Sequence, residues 1–91
     1  MKQRWKLLVK GKVQGVYYRK SAKLKADEFG LSGWVKNEED GSVSMEAEGD
    51  EAVLKKFVAW CQVGPSAAVV DQVVIETVVA KYDTGFEIRR F

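Results

Sequence analysis

Residues 31 to 48 read LSGWVKNEEDGSVSMEAE and hold the clearest hairpin of the chain. In its second half Val43, Met45 and Ala47 alternate with Ser44, Glu46 and Glu48, the period of two that gives a strand one apolar and one wet face. Leu31 to Lys36 supplies the partner strand, and Glu38 to Gly41 makes the turn, with Asp40-Gly41 at its tip. A helical segment stands on each side. Upstream, Tyr18, Ala22, Ala26 and Phe29 recur at helical spacing, with Gly30 placed to end the helix. Downstream, Asp50 caps a helix running to about Gln62, whose apolar stripe is Val53, Leu54, Phe57, Val58 and Cys61; Gly64-Pro65 stops it.

Strands flank the helices in turn. Residues 3 to 12 alternate with Trp5, Leu7 and Val9 on one face, and the Val-rich stretch from Ala67 to Val79 is strongly strand-like, with Val69 to Val79 read as core strand that carries an edge-pairing hazard if it frays. Gly85 to Ile88 gives a short last one. The order β-α-β-β-α-β with a small terminal addition predicts a ferredoxin-like α+β fold. Its antiparallel sheet would carry both helices on one face and hold the first and third strands at its centre. No linker or repeat divides it, so residues 1–91 read as a single domain.

Composition narrows the function classes. A chain of 91 residues that is 46% hydrophobic and 31% charged is an ordinary globular domain. Its net charge of +2 is too small to argue for nucleic acid or anionic lipid. No apolar run approaches the roughly 20 residues of a membrane span, and MKQRWKLLVKGK is too charged for a signal peptide. A lone cysteine, Cys61, fits a reducing cytoplasm, and its place on the apolar stripe makes it packed rather than reactive. There is no histidine. The commonest general base and commonest metal ligand are therefore missing, so any hydrolysis must work by positioning and charge.

GKVQGVYYR, residues 11 to 19, links the first strand to the first helix. Gly11 and Gly15 allow backbone that other residues resist and let a ligand approach the main chain. The helix start beyond them offers N–H groups and the positive end of a dipole, and Arg19 adds a fixed charged fork. Such a loop suits a phosphate. It is not a nucleotide P-loop, because Lys6 stands where the first glycine belongs and Val13 where Ser or Thr belongs. It is not a thiolate phosphatase loop either, because Val13 occupies the cysteine position. Asn37 ends the strand that follows the helix, and its amide could hold a water in line with a phosphorus. Alone, Asn37 reads more readily as the start of the turn.

GKVQGVYYR followed by GWVKNEEDGSV resembles the acylphosphatase family, and AVVDQVVIE and the ending FEIRRF fit the rest of its pattern. The likeness spans essentially the whole chain. It implies a ferredoxin-like fold and hydrolysis of small acyl phosphates to a carboxylate and inorganic phosphate, with no metal and no cofactor. The family's essential arginine falls on Arg19 and its essential asparagine on Asn37. Its phosphate-cradling main chain falls on Gln14, Gly15, Val16, Tyr17, Tyr18 and Arg19. Inorganic phosphate would be product and competitive inhibitor, with no nucleic-acid or membrane partner, and a monomer suffices. The position before the arginine is usually Phe in this family. Tyr18 keeps the packing if its hydroxyl finds a partner. Tyr17 could touch the acyl group or simply be exposed, and Arg89 and Arg90 could reach a substrate carboxylate.

Two other functions fit the same layout. An RNA-recognition module would display aromatics on its central strands, whereas SVSMEAE offers none and carries two glutamates. A ligand sensor could keep the anion loop without turnover, and only a rate measurement separates it from an enzyme. Glu38, Glu39 and Asp40 could mark a cation site, though adjacent acids in a turn more often stay solvated.

Overall fold

In the computed structural model, which describes residues 2–90, seven elements follow one another: β1 (Lys2–Lys12), α1 (Tyr18–Glu28), β2 (Ser32–Asn37), β3 (Val43–Asp50), α2 (Glu51–Cys61), β4 (Val69–Val78) and β5 (Phe86–Arg89). The sheet order is β4-β1-β3-β2-β5. The first four strands pair antiparallel, as two split βαβ units require. The fifth does not: β5 lies parallel to β2, so the sheet is mixed rather than antiparallel throughout. β4 ends at the side of the sheet where β2 begins. A chain that crosses there and turns back into the sheet must run with β2.

The core lies between one sheet face and the two helices. Leu7, Val9, Val35, Met45 and Ala47 meet Ala22 and Ala26 of α1 and Leu54, Phe57 and Cys61 of α2, all buried. Trp5 is half-buried at the margin of this cluster. The alanines let α1 lie close to the sheet. It ends as a Schellman motif, with Leu31 N–H donating to Ala26 O at 2.9 Å and Gly30 N–H to Asp27 O at 3.1 Å. Cys61 sits against Met45, sulfur to sulfur 4.0 Å, and burial pushes its thiol up to about 12. It is a packing residue.

Two strands depart from the expectation. β4 is an edge rather than a core strand, with Val69, Val74 and Ile75 all exposed. The fourth strand of a split βαβ pair stands outside the first, and the helices cover little of it. On β3 the polar face is not wet: Ser44 and Glu48 are buried. Arg4, only 1% exposed, donates from Nε to Glu46 at 2.6 Å and from Nη1 to Glu48 at 3.3 Å and Asp83 at 3.1 Å. Glu48 also accepts the backbone N–H groups of Lys81, at 2.7 Å, and Tyr82, at 2.8 Å. The segment between β4 and β5 is thus strapped across the face opposite the helices. Alternating Ser and Glu look the same in a sequence whether they meet water or a strap.

Gly11 serves the sheet rather than a ligand. It stands at a bulge between β1 and β4, and a Cβ there would lie 2.2 Å from Val69 O. The loop's demand for glycine falls on Gly15 alone, which has φ +73° and open space around it.

Candidate active site

The ends of β1, β2 and β5 lie at one side of the sheet, which brings residues 13–17, Asn37 and the C-terminal arginines together. Between them is a concavity of about 720 Å³ lined by Gly15, Tyr17, Arg19, Lys20, Asn37 and Arg90, among others. No carboxylate lines it among the described residues. Its charge is cationic and its shape is concave, so an anion is the ligand it can hold. A larger groove, about 980 Å³, runs along the opposite sheet face past Leu8, Trp34 and Val74 and also touches Asn37 and Arg90. It includes none of residues 13–20. Its size carries no chemistry.

The backbone of the loop explains its shape. Gly15 is left-handed, and so is Tyr17, with φ 61° at the N-cap of α1. For a residue with a Cβ that conformation costs roughly 1–2 kcal/mol. The first bond into the helix is Ser21 N–H to Tyr17 O, 3.0 Å. Among the described residues no backbone carbonyl accepts from the N–H groups of residues 15–20. Tyr17 gives no side-chain cap, and no acid stands in the first turn. A helix start with unused donors, a positive dipole end and the cations Arg19 and Lys20 has the features that suit an anion.

Each expected residue has a definite place. Arg19 is the second residue of α1; its Nη1 donates to Arg89 O, 3.3 Å away, which tethers the guanidinium near the last strand. Tyr17 is 78% exposed at the rim. Val16 turns its side chain into the core, so only its main chain can face a ligand. Tyr18 is buried, and its hydroxyl donates to Cys61 O at 2.7 Å, the partner that the change from Phe requires. Burial, with the neighbouring Cys61 thiol, pushes the phenol far above its ordinary pKa, so it stays neutral. Gln14 points away from the concavity: its Nε2 donates to Glu38 O and Ser42 O.

Asn37 is the last residue of β2 and pairs with Val43 across the hairpin. Its Oδ1 is buried and accepts no hydrogen bond from any described residue. Buried polar atoms are satisfied in nine cases of ten or more, so an orphaned amide oxygen beside an anion site points to a ligand or water that it holds.

The remaining candidates separate clearly. Arg89 stacks its guanidinium 4.9 Å from the Trp34 ring and bonds Glu87, so its side chain is engaged elsewhere. Arg90 lines the concavity. In the turn Asp40 accepts Ser42 N–H at 2.9 Å and Ser42 Oγ at 2.5 Å, and Glu38 accepts from the Ser44 hydroxyl. These acids shape the turn. Lys20 went unread in the sequence, although its signal is there: two adjacent cations and no acid in the first helical turn.

The acylphosphatase family model matches residues 5–88. The chain belongs to the acylphosphatase family. It is 44% identical to an acylphosphatase from Synechococcus sp. (strain CC9311) over 89 residues, 98% of this chain and 99% of that one. With an acylphosphatase from Marinobacter nauticus (strain ATCC 700491 / DSM 11845 / VT8) it shares 54% identity over 77 residues, 85% and 84% of the two chains. The solved acylphosphatase structure from Coxiella burnetii superposes with a TM-score of 0.93 at 36% identity, covering 97% of this chain and 93% of that one. The acylphosphatase likeness therefore covers fold and sequence over nearly the full length, including both strands and the loop that frame the concavity.

Proposed function

We propose that this chain hydrolyses small acyl phosphates, without a metal, at the concavity between the 14–19 loop and Asn37. The N–H groups of the loop and the fork of Arg19 hold the phosphoryl oxygens and neutralise charge as the transition state develops. Asn37 Oδ1 accepts a hydrogen bond from a water and aims its oxygen at phosphorus. The water oxygen bonds to phosphorus, the bond to the acyl oxygen breaks, and the carboxylate leaves with the electron pair. One water proton passes to a phosphoryl oxygen, so a carboxylate and dihydrogen phosphate are the products. A carboxylate is a good leaving group, so no histidine is needed to protonate it. A cytoplasmic setting and a monomer fit a chain whose lone thiol is buried.

The orphaned, buried Oδ1 of Asn37 supports this reading, because a buried acceptor beside the concavity is free to hold a water. The test is steady-state hydrolysis of benzoyl phosphate by the wild type, Arg19→Ala and Asn37→Ala, with and without EDTA. Wild type should turn over in EDTA and be inhibited competitively by inorganic phosphate. Each variant should stay folded and lose about 10²–10³ in kcat, the worth of one preorganised polar group. Full turnover by Asn37→Ala would remove the water-positioning role. Binding of phosphate without turnover by wild type would make the chain a sensor.

A further inference from the structure

Gln14 stands in the middle of the anion loop, yet its side chain does not face the anion. Its Nε2 donates to Glu38 O at 2.7 Å and to Ser42 O at 2.9 Å, across 24 and 28 residues of chain. Both partners are carbonyl oxygens, which fixes the amide with nitrogen toward the turn. Both of its protons are therefore committed. The two carbonyls do not depend on Gln14. Glu38 O also accepts Gly41 N–H at 3.2 Å, and Ser42 O also accepts Glu38 N–H at 2.8 Å. Remove the amide, and each keeps a backbone partner, so little stability rides on the clamp.

What the clamp fixes is distance. Glu38 follows Asn37 directly, and Glu38 and Ser42 close the turn above the Asn37–Val43 pair. The loop that would hold phosphate and the strand end that would hold water belong to different elements, β1–α1 and β2–β3. Gln14 bonds one to the other. An in-line attack tolerates little error, and a displacement of about 1 Å can cost 10²-fold. We infer that Gln14 is a positioning residue: its amide locks the loop to the β2–β3 turn and so sets the Asn37 water on line with the bound phosphorus. This rests on the hydrolase reading above.

Gln14→Met keeps the length and packing of the side chain while removing both donors, and Gln14→Glu keeps its reach while replacing the donors with acceptors. Benzoyl phosphate turnover, the inhibition constant of inorganic phosphate and urea unfolding should be measured for both. Gln14→Met should lower kcat about 10- to 100-fold, the scale of a sub-ångström to 1 Å misplacement. The phosphate inhibition constant should move less than threefold, because the loop N–H groups and Arg19 remain. A residue that merely stabilised the fold would lower the unfolding midpoint and leave kcat per folded molecule alone. In an Asn37→Ala background, Gln14→Met should cost less than twofold, since the group it positions is gone.

A folded Gln14→Met with kcat within twofold of wild type overturns the inference. So does an inhibition constant that rises in step with the fall in kcat, which would make Gln14 a support of the cradle, or a full additive loss on top of Asn37→Ala. Should Gln14→Met not fold, Gln14→Glu carries the turnover and Asn37→Ala readings, its added charge raising the phosphate inhibition constant on its own account. Wild type that binds phosphate without turning over benzoyl phosphate sinks the hydrolase reading and this role with it. Wild type that turns over while Gln14→Met keeps pace sinks this role alone.

Discussion

The two helices have the same length and begin in opposite ways. α2 starts directly from β3, with Asp50 in extended backbone at its N-cap and Glu51 in its first turn. Glu51 accepts from Gln3 Nε2 at 2.9 Å and pairs with Lys55 at 3.5 Å. α1 follows a loop with left-handed backbone at Gly15 and Tyr17, has no acid in its first turn, and places Arg19 and Lys20 there. A cation near a helix N-terminus is unfavourable by about 0.3–1 kcal/mol, and α1 carries two. One start is arranged for stability and the other against it. Local rules that hold at α2 are broken at α1 in the way that an incoming anion would repair, which is where a functional site is expected.

The sharpest break of this contrast is Arg19→Lys. If α1 needed only positive charge, lysine would serve, since the net charge at the helix start is unchanged. The proposed role needs two N–H groups in a plane, matched to two phosphoryl oxygens, and a lysine ammonium is a point donor on a flexible stem. The expected loss in kcat/KM is about 10²–10³, or roughly 3–4 kcal/mol, with the unfolding midpoint nearly unchanged. An Arg19→Lys enzyme within tenfold of wild type would mean that the site works by charge alone.

Acid should divide the two starts next. Glu48 lies two residues before Asp50, on the side of the molecule that launches α2. Burial works to raise its pKa, but the N–H groups of Lys81 and Tyr82 and the guanidinium of Arg4 outweigh it and hold the carboxyl below its ordinary value. The unfolded chain therefore takes up the proton first. The stabilisation is complete above an unfolded pKa of about 4.3 and is lost as pH falls through the lower folded value. The urea midpoint should be flat from neutral pH down to about 5.5 and drop below about 4.3. Glu48→Gln should remove its share of that acid limb, leaving what Asp83, Asp40 and Glu51 contribute, while weakening the strap at every pH. A wild-type midpoint that held steady down to about pH 3, below the unfolded carboxylate range, would show that the strap's carboxylate is not what acid attacks.

Much of this was legible from particular residues. Val43, Met45 and Ala47 fixed β3 because only one arrangement buries all three, and the pair Arg19 and Asn37 located the concavity from both its sides. The rest was hidden for identifiable reasons. The direction of β5 depends on where β4 ends, which no local pattern in Phe86–Arg89 encodes. The buried polar face of β3 depends on Arg4 and Asp83, 79 positions apart. β4 is Val-rich like a core strand, and its edge position follows from topology, not from composition. Gln14 looks like any polar residue between two glycines, since its partners lie a hairpin away. Sequence periodicity reports which face is apolar; it does not report what covers the other face or which distant carbonyl a side chain reaches.

The smallest expected effect is also the most direct comparison of the two helix starts: Lys20→Glu, which gives α1 the first-turn acid that α2 already has. Two measurements should move in opposite directions. Stability should rise, by about 0.3–1 kcal/mol, because a carboxylate replaces a cation beside the positive end of the helix. Phosphate should bind more weakly, because the reversal of one side chain changes the local charge by two. At a separation of roughly 8 Å in water-like screening that amounts to about 1 kcal/mol, a several-fold rise in the inhibition constant. High salt should erase most of the binding effect, since the pair is exposed and lies near the Debye length. If stability rose while phosphate binding held constant at low salt, the Lys20 charge would be incidental, and the site's affinity would rest on Arg19 and the loop N–H groups alone. If both fell together, the loop itself would have rearranged, and the contrast between the two helices would be one of backbone shape rather than of charge.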